Sequence, residues 1–379
     1  MSIYKELPLK DHKPLEYSSK ISCVWEGNDY KKLTISIGEE VCSQNMQEDG
    51  PNFEGIAFCV WSVFPECEIV LDFNPPLDWG NKFPIDYCKY GIITYSDRQM
   101  IDESNGEEGI KENSINSKIQ HYLRFLYRVW KMDEFYSHFY VEKTKKKYVD
   151  MFSTEYRKAL ESGNLLYTAP KKESEIKDYE GTITENHLEK WFVYYSNQAE
   201  MRKLVPSMGK VDLHDQFPCG LFYASKASDI HESTRIFNSG AFDLWGVDVD
   251  KTLCIYELKN KDNKKLGIIS ELFFYACLCR DFLYIGKRCY RKDYRGFMEF
   301  WTANRDENIR KPLVKAYFLV DRFHPSIDDR ITGILAEMNK QEGGIIEFGE
   351  IRFNQDELVG IDPKGFVENL KKMKGFSVP

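Results

Sequence analysis

Residues 240–260, GAFDLWGVDVDKTLCIYELKN, restrict the possible folds of this chain more than any other segment. Two runs rich in β-branched and aromatic residues flank the turn-forming stretch DVDKT, which predicts a β-hairpin. Glu257 and Lys259 lie two positions apart in the second run, so a strand places both side chains on one face. Charges are rarely buried in a core strand unless they are paired or bind a metal.

Folding the hairpin about residues 250 and 251 places residue 249 opposite 252 and Asp243 opposite residue 258, beside Glu257. Two carboxylates and one amine are therefore expected to converge. Asp243, Glu257 and the backbone carbonyl of Leu258 would form an oxygen site suited to Mg²⁺, with Mn²⁺ as a substitute. Such an ion activates water and neutralises charge on a phosphodiester. Lys259 would position that water or stabilise the transition state. The alternative is an edge strand whose charges prevent aggregation.

An aspartate followed by Glu-x-Lys on a hairpin, with one helix before it and one after it, resembles the PD-(D/E)XK nuclease superfamily, the restriction-endonuclease-like fold. The resemblance covers residues 180–355 and matches Asp243, Glu257 and Lys259 to the motif, although alanine and phenylalanine rather than proline precede Asp243. It implies an αβββαβ core with a mixed sheet flanked by helices. It also implies Mg²⁺-dependent hydrolysis of DNA, in restriction, repair or defence against mobile elements.

The resemblance implies supporting residues on two helices. The helix TENHLEKW offers Glu185 and Glu189 as a further carboxylate of the site, and Glu189 is preferred because it lies further into the helix. The next helix supplies Glu271 and Tyr275 at the spacing of exonuclease-type members. A solvated helix face is an equal alternative for Glu271, and core packing is the stronger interpretation of Tyr275.

A basic segment at 287–315 holds nine Lys and Arg against four Asp and Glu, although the whole chain has a formal charge of −8. Its aromatic residues recur at helical spacing, which predicts a helix with a buried stripe. A solvated face is the alternative to DNA binding here. The positions that would face outward and bind phosphates are Arg288, Arg291, Lys292 and Arg295.

The length of 379 residues favours two domains. The polar stretch 168–181 is the predicted boundary, with a β-rich and then helical domain at 1–170 and the nuclease-like domain at 178–379. The role of the first domain is unknown, and a homodimer or a partner protein bound through it is a hypothesis. Within it we predict strands at 22–27, 33–38, 55–64, 67–73 and 90–96, a helix capped by Ser114, and a helix at 141–162 closed by Gly163.

For the second half, the sequence predicts a helix capped by Thr184, strands near 220–225, at 241–249 and at 252–259, and a helix at 265–283. A strand at 313–320, a helix at 326–341, a Gly-Gly turn and a strand at 345–353 complete it. The order α-β-β-β-α-β, then α-β, predicts an α/β (α+β mixed) class with a mixed sheet.

Composition narrows the function classes. The ten cysteines lack the paired spacing of a zinc site and favour free thiols in a reducing compartment. No run approaches the length of about 18 apolar residues that a membrane-spanning helix needs. We therefore expect a cytoplasmic protein with no membrane contact. The GxGxxG, GxxxxGK[ST], HExxH and GxSxG motifs do not occur. The alternative to a nuclease is an inactive nucleic-acid-binding or scaffolding protein that keeps the nuclease fold.

Overall fold

The computed structural model of the chain is a mixed α/β structure with several mixed sheets. Within the described residues, no helix has both the length and the apolar character required to cross a membrane. The residues described are 4–76, 110–161, 165–167, 184–196, 213–219, 221–222, 236–237, 240–248, 252–262, 265–284, 288–290 and 314–358.

The first half contains a two-stranded ribbon, a four-stranded sheet and helices that cover them. The ribbon pairs β1 (Tyr4–Leu9) with β2 (His12–Ser18). The sheet has the order β3 (Ile21–Trp25), β4 (Lys32–Ile37), β5 (Glu68–Phe73) and β6 (Phe139–Val141). The helices are α1 (Glu39–Cys42), α2 (Phe53–Trp61), α3 (Ile110–Phe135) and α4 (Lys143–Glu161).

Helix α2 corrects the predicted strand at 55–64. Asn52 begins the helix, because its Oδ1 accepts the Gly55 N–H at 3.1 Å. All nine residues of α2 are buried. From Gly55 to Trp61 the segment is apolar on every side and shows neither helical nor strand periodicity, so its type could not be assigned from the pattern.

Helix α3 confirms the predicted helical stripe, whose members Ile119, Tyr122 and Leu126 are buried. Ser114 as its N-cap is wrong, because the helix begins at Ile110. Serine costs little inside a helix, so its presence does not force a boundary. Helix α4 lies within the predicted bounds, whereas the strand predicted at 90–96 and Gly163 fall outside the described residues.

The second half is built on a five-stranded sheet, whose strands in spatial order are β14 (Ile346–Arg352), β13 (Val314–Val320), β11 (Leu253–Lys259), β10 (Gly240–Val247) and β8 (His214–Cys219). Strand β10 runs antiparallel to both of its neighbours, β8 and β11, whereas β11, β13 and β14 run parallel to one another. Its elements in chain order are α5 (Glu185–Ser196), β8 (His214–Cys219), β10 (Gly240–Val247), β11 (Leu253–Lys259), α6 (Ile268–Tyr284), β13 (Val314–Val320), α7 (Pro325–Asp328), α8 (Ile331–Met338), β14 (Ile346–Arg352) and α9 (Gln355–Leu358).

Two predictions in this half need correction. The first strand of the sheet is β8 at 214–219 and not 220–225, where Leu221–Phe222 forms the short β9 of a separate sheet. That sheet pairs β9 with β7 (Leu165–Tyr167), and β7 runs parallel to β12 (Arg288–Tyr290). Residues 288–290 are therefore a strand and not the predicted helix, since pairing with β7 overrides the local helical spacing. The remainder of the basic segment up to 313 lies outside the described residues.

Helix α6 lies between the five-stranded sheet and the helices of the first half. It packs on β11, β13 and β14 on one side and on α2 and α3 on the other. One hydrophobic cluster accordingly extends from Leu7 to Phe348. The predicted domain boundary falls within residues that are not described, so the division into two domains stays a prediction.

Buried charges at the interface between α2, α3 and α6 are paired. Arg128 lies 2.9 Å from Glu54, and the Ser270 hydroxyl donates to the same carboxylate at 2.7 Å. Lys131 lies 3.0 Å from Asp281. An unpaired buried charge is strongly destabilising. These ion pairs and hydrogen bonds therefore make it possible for charged side chains to lie at a helix interface that is otherwise apolar.

Candidate functional site

The hairpin of β10 and β11 has a register one residue away from the predicted one. Val247 pairs with Leu253, and Leu244 pairs with Tyr256. The reason is the turn: the Asp248 N–H donates to the Thr252 carbonyl at 2.9 Å, and the Asp248 carboxylate accepts the Thr252 N–H at 2.9 Å. Extending the pairing by one step brings Asp243 opposite Glu257 instead of residue 258.

The sheet is irregular at Asp243. The ladder between β8 and β10 pairs Phe242 with Phe217 and Leu244 with Asp215, but omits the step that would join Asp243 to Gln216. Gln216 has a φ of 36°, in the left-handed region that non-glycine residues rarely adopt. Such irregularities redirect a side chain. The carboxylate of Asp243 accepts the backbone N–H of Leu258 at 2.7 Å.

Three carboxylates surround the ammonium group of Lys259. It contacts Glu257, lies 3.2 Å from Oε2 of Glu271 and lies 3.9 Å from Oδ2 of Asp243. The side chains of Glu257 and Glu271 are 1% and 2% exposed, against 17% for Asp243. The structure thus brings together Asp243, Glu257 and Lys259, adds Glu271, and exposes this carboxylate–lysine cluster mainly at Asp243.

Both surface interpretations of these charges are wrong. Strand β11 is the third of five strands, so it is not an edge, and all seven of its residues are buried. Glu271 has no solvated helix face, because α6 is covered by the sheet on one side and by α2 and α3 on the other. The charges therefore need partners within the protein.

The protonation of the cluster follows from burial and from Lys259. Burial raises the pKa of Asp243 to about 6, and it raises the pKa of Glu257 well above its ordinary value, helped by Asp243 and Glu271. Burial alone would lower the pKa of Lys259, but the surrounding carboxylates outweigh it and raise that pKa. Burial likewise opposes ionisation of Glu271, yet Lys259 and hydrogen bonds from Glu257 and Gln47 lower its pKa. These directions favour a proton on Glu257 and an ion pair between Lys259 and Glu271.

Glu189 lies close to Asp243 from the other helix of the predicted site. It is 5% exposed. Burial and then the charge of Asp243 raise its pKa to about 8, against a hydrogen bond from Gln216. Glu185 also acts on Asp243 and Lys259 through its charge. Thr184 precedes α5 as predicted, and its hydroxyl pairs with Nδ1 of His187 at 2.8 Å.

Replacing Glu189 with glutamine is expected to reduce the loss of stability at high pH. The folded state raises this pKa from 4.5 to about 8. A carboxyl with a raised pKa stabilises the fold only while it is protonated. The free energy of unfolding therefore falls as the pH rises from the unfolded-state pKa of 4.5 through the folded-state pKa of about 8. We expect the free energy of unfolding to fall less in Glu189→Gln than in the wild type between about pH 5 and pH 9, by about 2–4 kcal/mol.

Urea unfolding at a series of pH values measures this difference. Glu185→Gln is the matched control, because it removes a half-buried carboxylate one turn earlier in α5. An equal fall in the wild type and in Glu189→Gln would show that the Glu189 carboxyl titrates as it does in the unfolded chain.

The other predicted residues are placed as follows. Tyr275 is buried, and its ring meets that of Phe242 edge-on at 5.6 Å between centroids, so it packs in the core beside the site. Arg288 belongs to strand β12. Arg291, Lys292 and Arg295 lie outside the described residues, so phosphate binding by this segment stays a prediction.

Sequence reasoning missed Gln47, which lies in the loop between α1 and α2. Its side-chain amide donates a hydrogen bond to Oε1 of Glu271, 224 positions further along the chain. No pattern in the sequence connects a single glutamine in a polar loop to a helix so distant.

The donor chemistry of the cluster suits Mg²⁺, which prefers carboxylate oxygens. Among the residues that the structure describes, no three His, Cys, Asp or Glu side chains are already arranged to hold a metal ion. Oε2 of Glu257 is buried without a hydrogen-bond donor among the described residues, and Oε2 of Glu271 faces the Lys259 ammonium at 3.2 Å. A metal ion between Asp243 and Glu257 would thus have to move the Lys259 ammonium, which contacts Glu257.

No family model, no curated protein and no solved structure matches the chain.

Proposed function

We propose that the chain is a metal-dependent nuclease that hydrolyses DNA phosphodiester bonds, with a restriction-endonuclease-like αβββαβ core in its second half. The observation that carries this proposal is the carboxylate–lysine cluster, in which side chains from β10, β11 and α6 converge and open to solvent at Asp243. Strongly shifted pKa values of buried carboxyls are typical of functional sites.

Asp243 and Glu257, with the Leu258 carbonyl, are the residues that would hold Mg²⁺ or Mn²⁺. The ion would activate water and neutralise charge on the scissile phosphate. Lys259 places a positive charge beside the most exposed carboxylate, where the phosphate would enter. Glu271 balances that charge from α6, and Glu189 adds a buried carboxyl near Asp243.

A second candidate function is nucleic-acid binding or scaffolding without turnover. It is favoured by the charge balance of the cluster, because the Lys259 ammonium already pairs with Glu257 and Glu271 without a metal ion. Structural ion-pair networks shift pKa values in the same way as active sites do.

Labelled DNA incubated with the full chain and Mg²⁺ or Mn²⁺ separates the two functions. The nuclease proposal expects cleavage that EDTA stops and that Asp243→Asn removes. Asp248→Asn is the matched control, because it removes a carboxylate at the far end of β10 from the cluster, and the asparagine Oδ1 can still accept the Thr252 N–H that sets the turn. DNA binding without cleavage in any of these proteins would support the scaffold, and cleavage of RNA alone would correct the substrate.

A further inference from the structure

The loop between α1 and α2 is fixed against the start of α6. The Leu266 N–H donates to the Asp49 carboxylate at 2.8 Å. A Cβ atom on Gly267 would lie 2.7 Å from the backbone carbonyl oxygen of Gln47 and 2.9 Å from that of Met46. Only glycine permits so close an approach of the two backbones. The first half of the chain thus reaches the turn of α6 that carries Glu271.

Asn45 orients the Gln47 side chain through two hydrogen bonds. Its Oε1 accepts a hydrogen bond from Nδ2 of Asn45 at 3.1 Å, and its backbone N–H donates to Oδ1 of Asn45 at 3.3 Å. Because the oxygen of the Gln47 amide is turned toward Asn45, the amide nitrogen is turned toward Glu271, to which it donates.

Glu271 in turn lies 3.2 Å from the Lys259 ammonium on its other oxygen. We infer that Gln47 is a positioning residue, which orients the Glu271 carboxylate so that Lys259 stays directed at Asp243 and Glu257. These contacts support the positioning of Lys259 by themselves. The effect of this positioning on catalysis rests on the proposed nuclease function. The loop of the first half would then complete a site whose other members all belong to the second half.

Substitution of the amide tests this inference. Gln47→Met keeps the length of the side chain and removes the two hydrogen bonds of its amide, with Glu271 and with Nδ2 of Asn45. Gln44→Met is the matched control, because Gln44 lies in the same loop and its Oε1 accepts instead from Lys20, at 3.4 Å. Asn45→Ala is a second variant, which leaves Gln47 in place without its support and should act in the same direction but less strongly.

The first readout is the NMR signal of the lysine ammonium groups in [¹⁵N]lysine-labelled full-length protein. Lys259 is assigned from its absence in Lys259→Arg, and the fully buried Lys131, paired with Asp281, is the internal reference. Gln47→Met is expected to shift or broaden the Lys259 signal and to leave the Lys131 signal unchanged. Gln44→Met should alter neither.

The second readout is DNA cleavage, for which Gln47→Met should lower kcat by on the order of tenfold with little change in KM. An unaltered Lys259 signal in folded Gln47→Met would overturn the inference whatever the cleavage result, as would a wild type that shows Lys131 but no Lys259 signal. If the Lys259 signal shifts while the wild type cuts no nucleic acid, the positioning stands and the nuclease proposal fails.

Discussion

Lys259→Met is expected to abolish DNA cleavage and to lower the free energy of unfolding by about 3–5 kcal/mol at neutral pH. Without the ammonium group, Glu271, Glu257 and Asp243 would face one another in a buried cluster with no cation. Protonation can relieve part of this repulsion. Without Lys259 the raised pKa values of Asp243 and Glu257 would rise further, and the lowered pKa of Glu271 would rise as well, so the loss of stability should grow with pH.

Urea unfolding at about pH 5 and about pH 8 measures this loss, with the larger difference from the wild type at the higher pH. The double variant Lys259→Met/Glu271→Gln is the control, since it removes the carboxylate that pairs most closely with Lys259 on α6. It should recover part of the stability and none of the activity. Unchanged stability of Lys259→Met at both pH values would mean that the ammonium does not balance the cluster.

Asp243→Asn is expected to lower kcat for DNA cleavage by on the order of 10³ while the fold keeps its stability. The asparagine Oδ1 can still accept the Leu258 N–H, which Asp243 accepts at 2.7 Å. In the wild type the pKa of Asp243 is raised to about 6, so above that pH the ionised Asp243 carboxylate lowers the stability of the folded state. The variant should therefore unfold at an equal or higher urea concentration at pH 8.

Steady-state cleavage kinetics and urea unfolding of the same preparations test this pair of effects. Asp248→Asn should keep its kcat, because that carboxylate caps the hairpin turn at the far end of β10. Cleavage by Asp243→Asn at the wild-type rate would remove Asp243 from the proposed machinery, even if Lys259→Met were inactive.

The hairpin and the convergence of its charges follow from local rules. Period-two alternation places Glu257 beside Lys259, and a turn-forming stretch brings Asp243 back to them. The register was wrong by one residue, because the Asp248–Thr252 hydrogen bonds set the length of the turn. The sequence could not show which of several similar turns these side chains select.

Other parts of the structure depend on contacts between distant segments. Apart from Glu54 in its first turn, helix α2 is apolar on every side, so its pattern contains no period to detect. Strand β8, HDQFPC, contains a proline and polar residues that are unfavourable in strands, and it was placed too late in the chain.

The burial of Glu271 results from α2 and α3 covering α6, and the contribution of Gln47 results from a loop that contacts the turn before α6. Neither the helical spacing around Glu271 nor the composition of the Gln47 loop contains that information. These contacts join the two halves of the chain, for which the sequence predicts separate domains.

The most direct test of the central claim is the position of Mn²⁺ in crystals of the full chain soaked with MnCl₂, located by anomalous diffraction. The proposal predicts one anomalous peak within coordination distance of the Asp243 and Glu257 carboxylates, with the Lys259 ammonium moved away from Glu257. A cluster in which Lys259 still contacts Glu257, with no peak between the two carboxylates at saturating Mn²⁺, would contradict it.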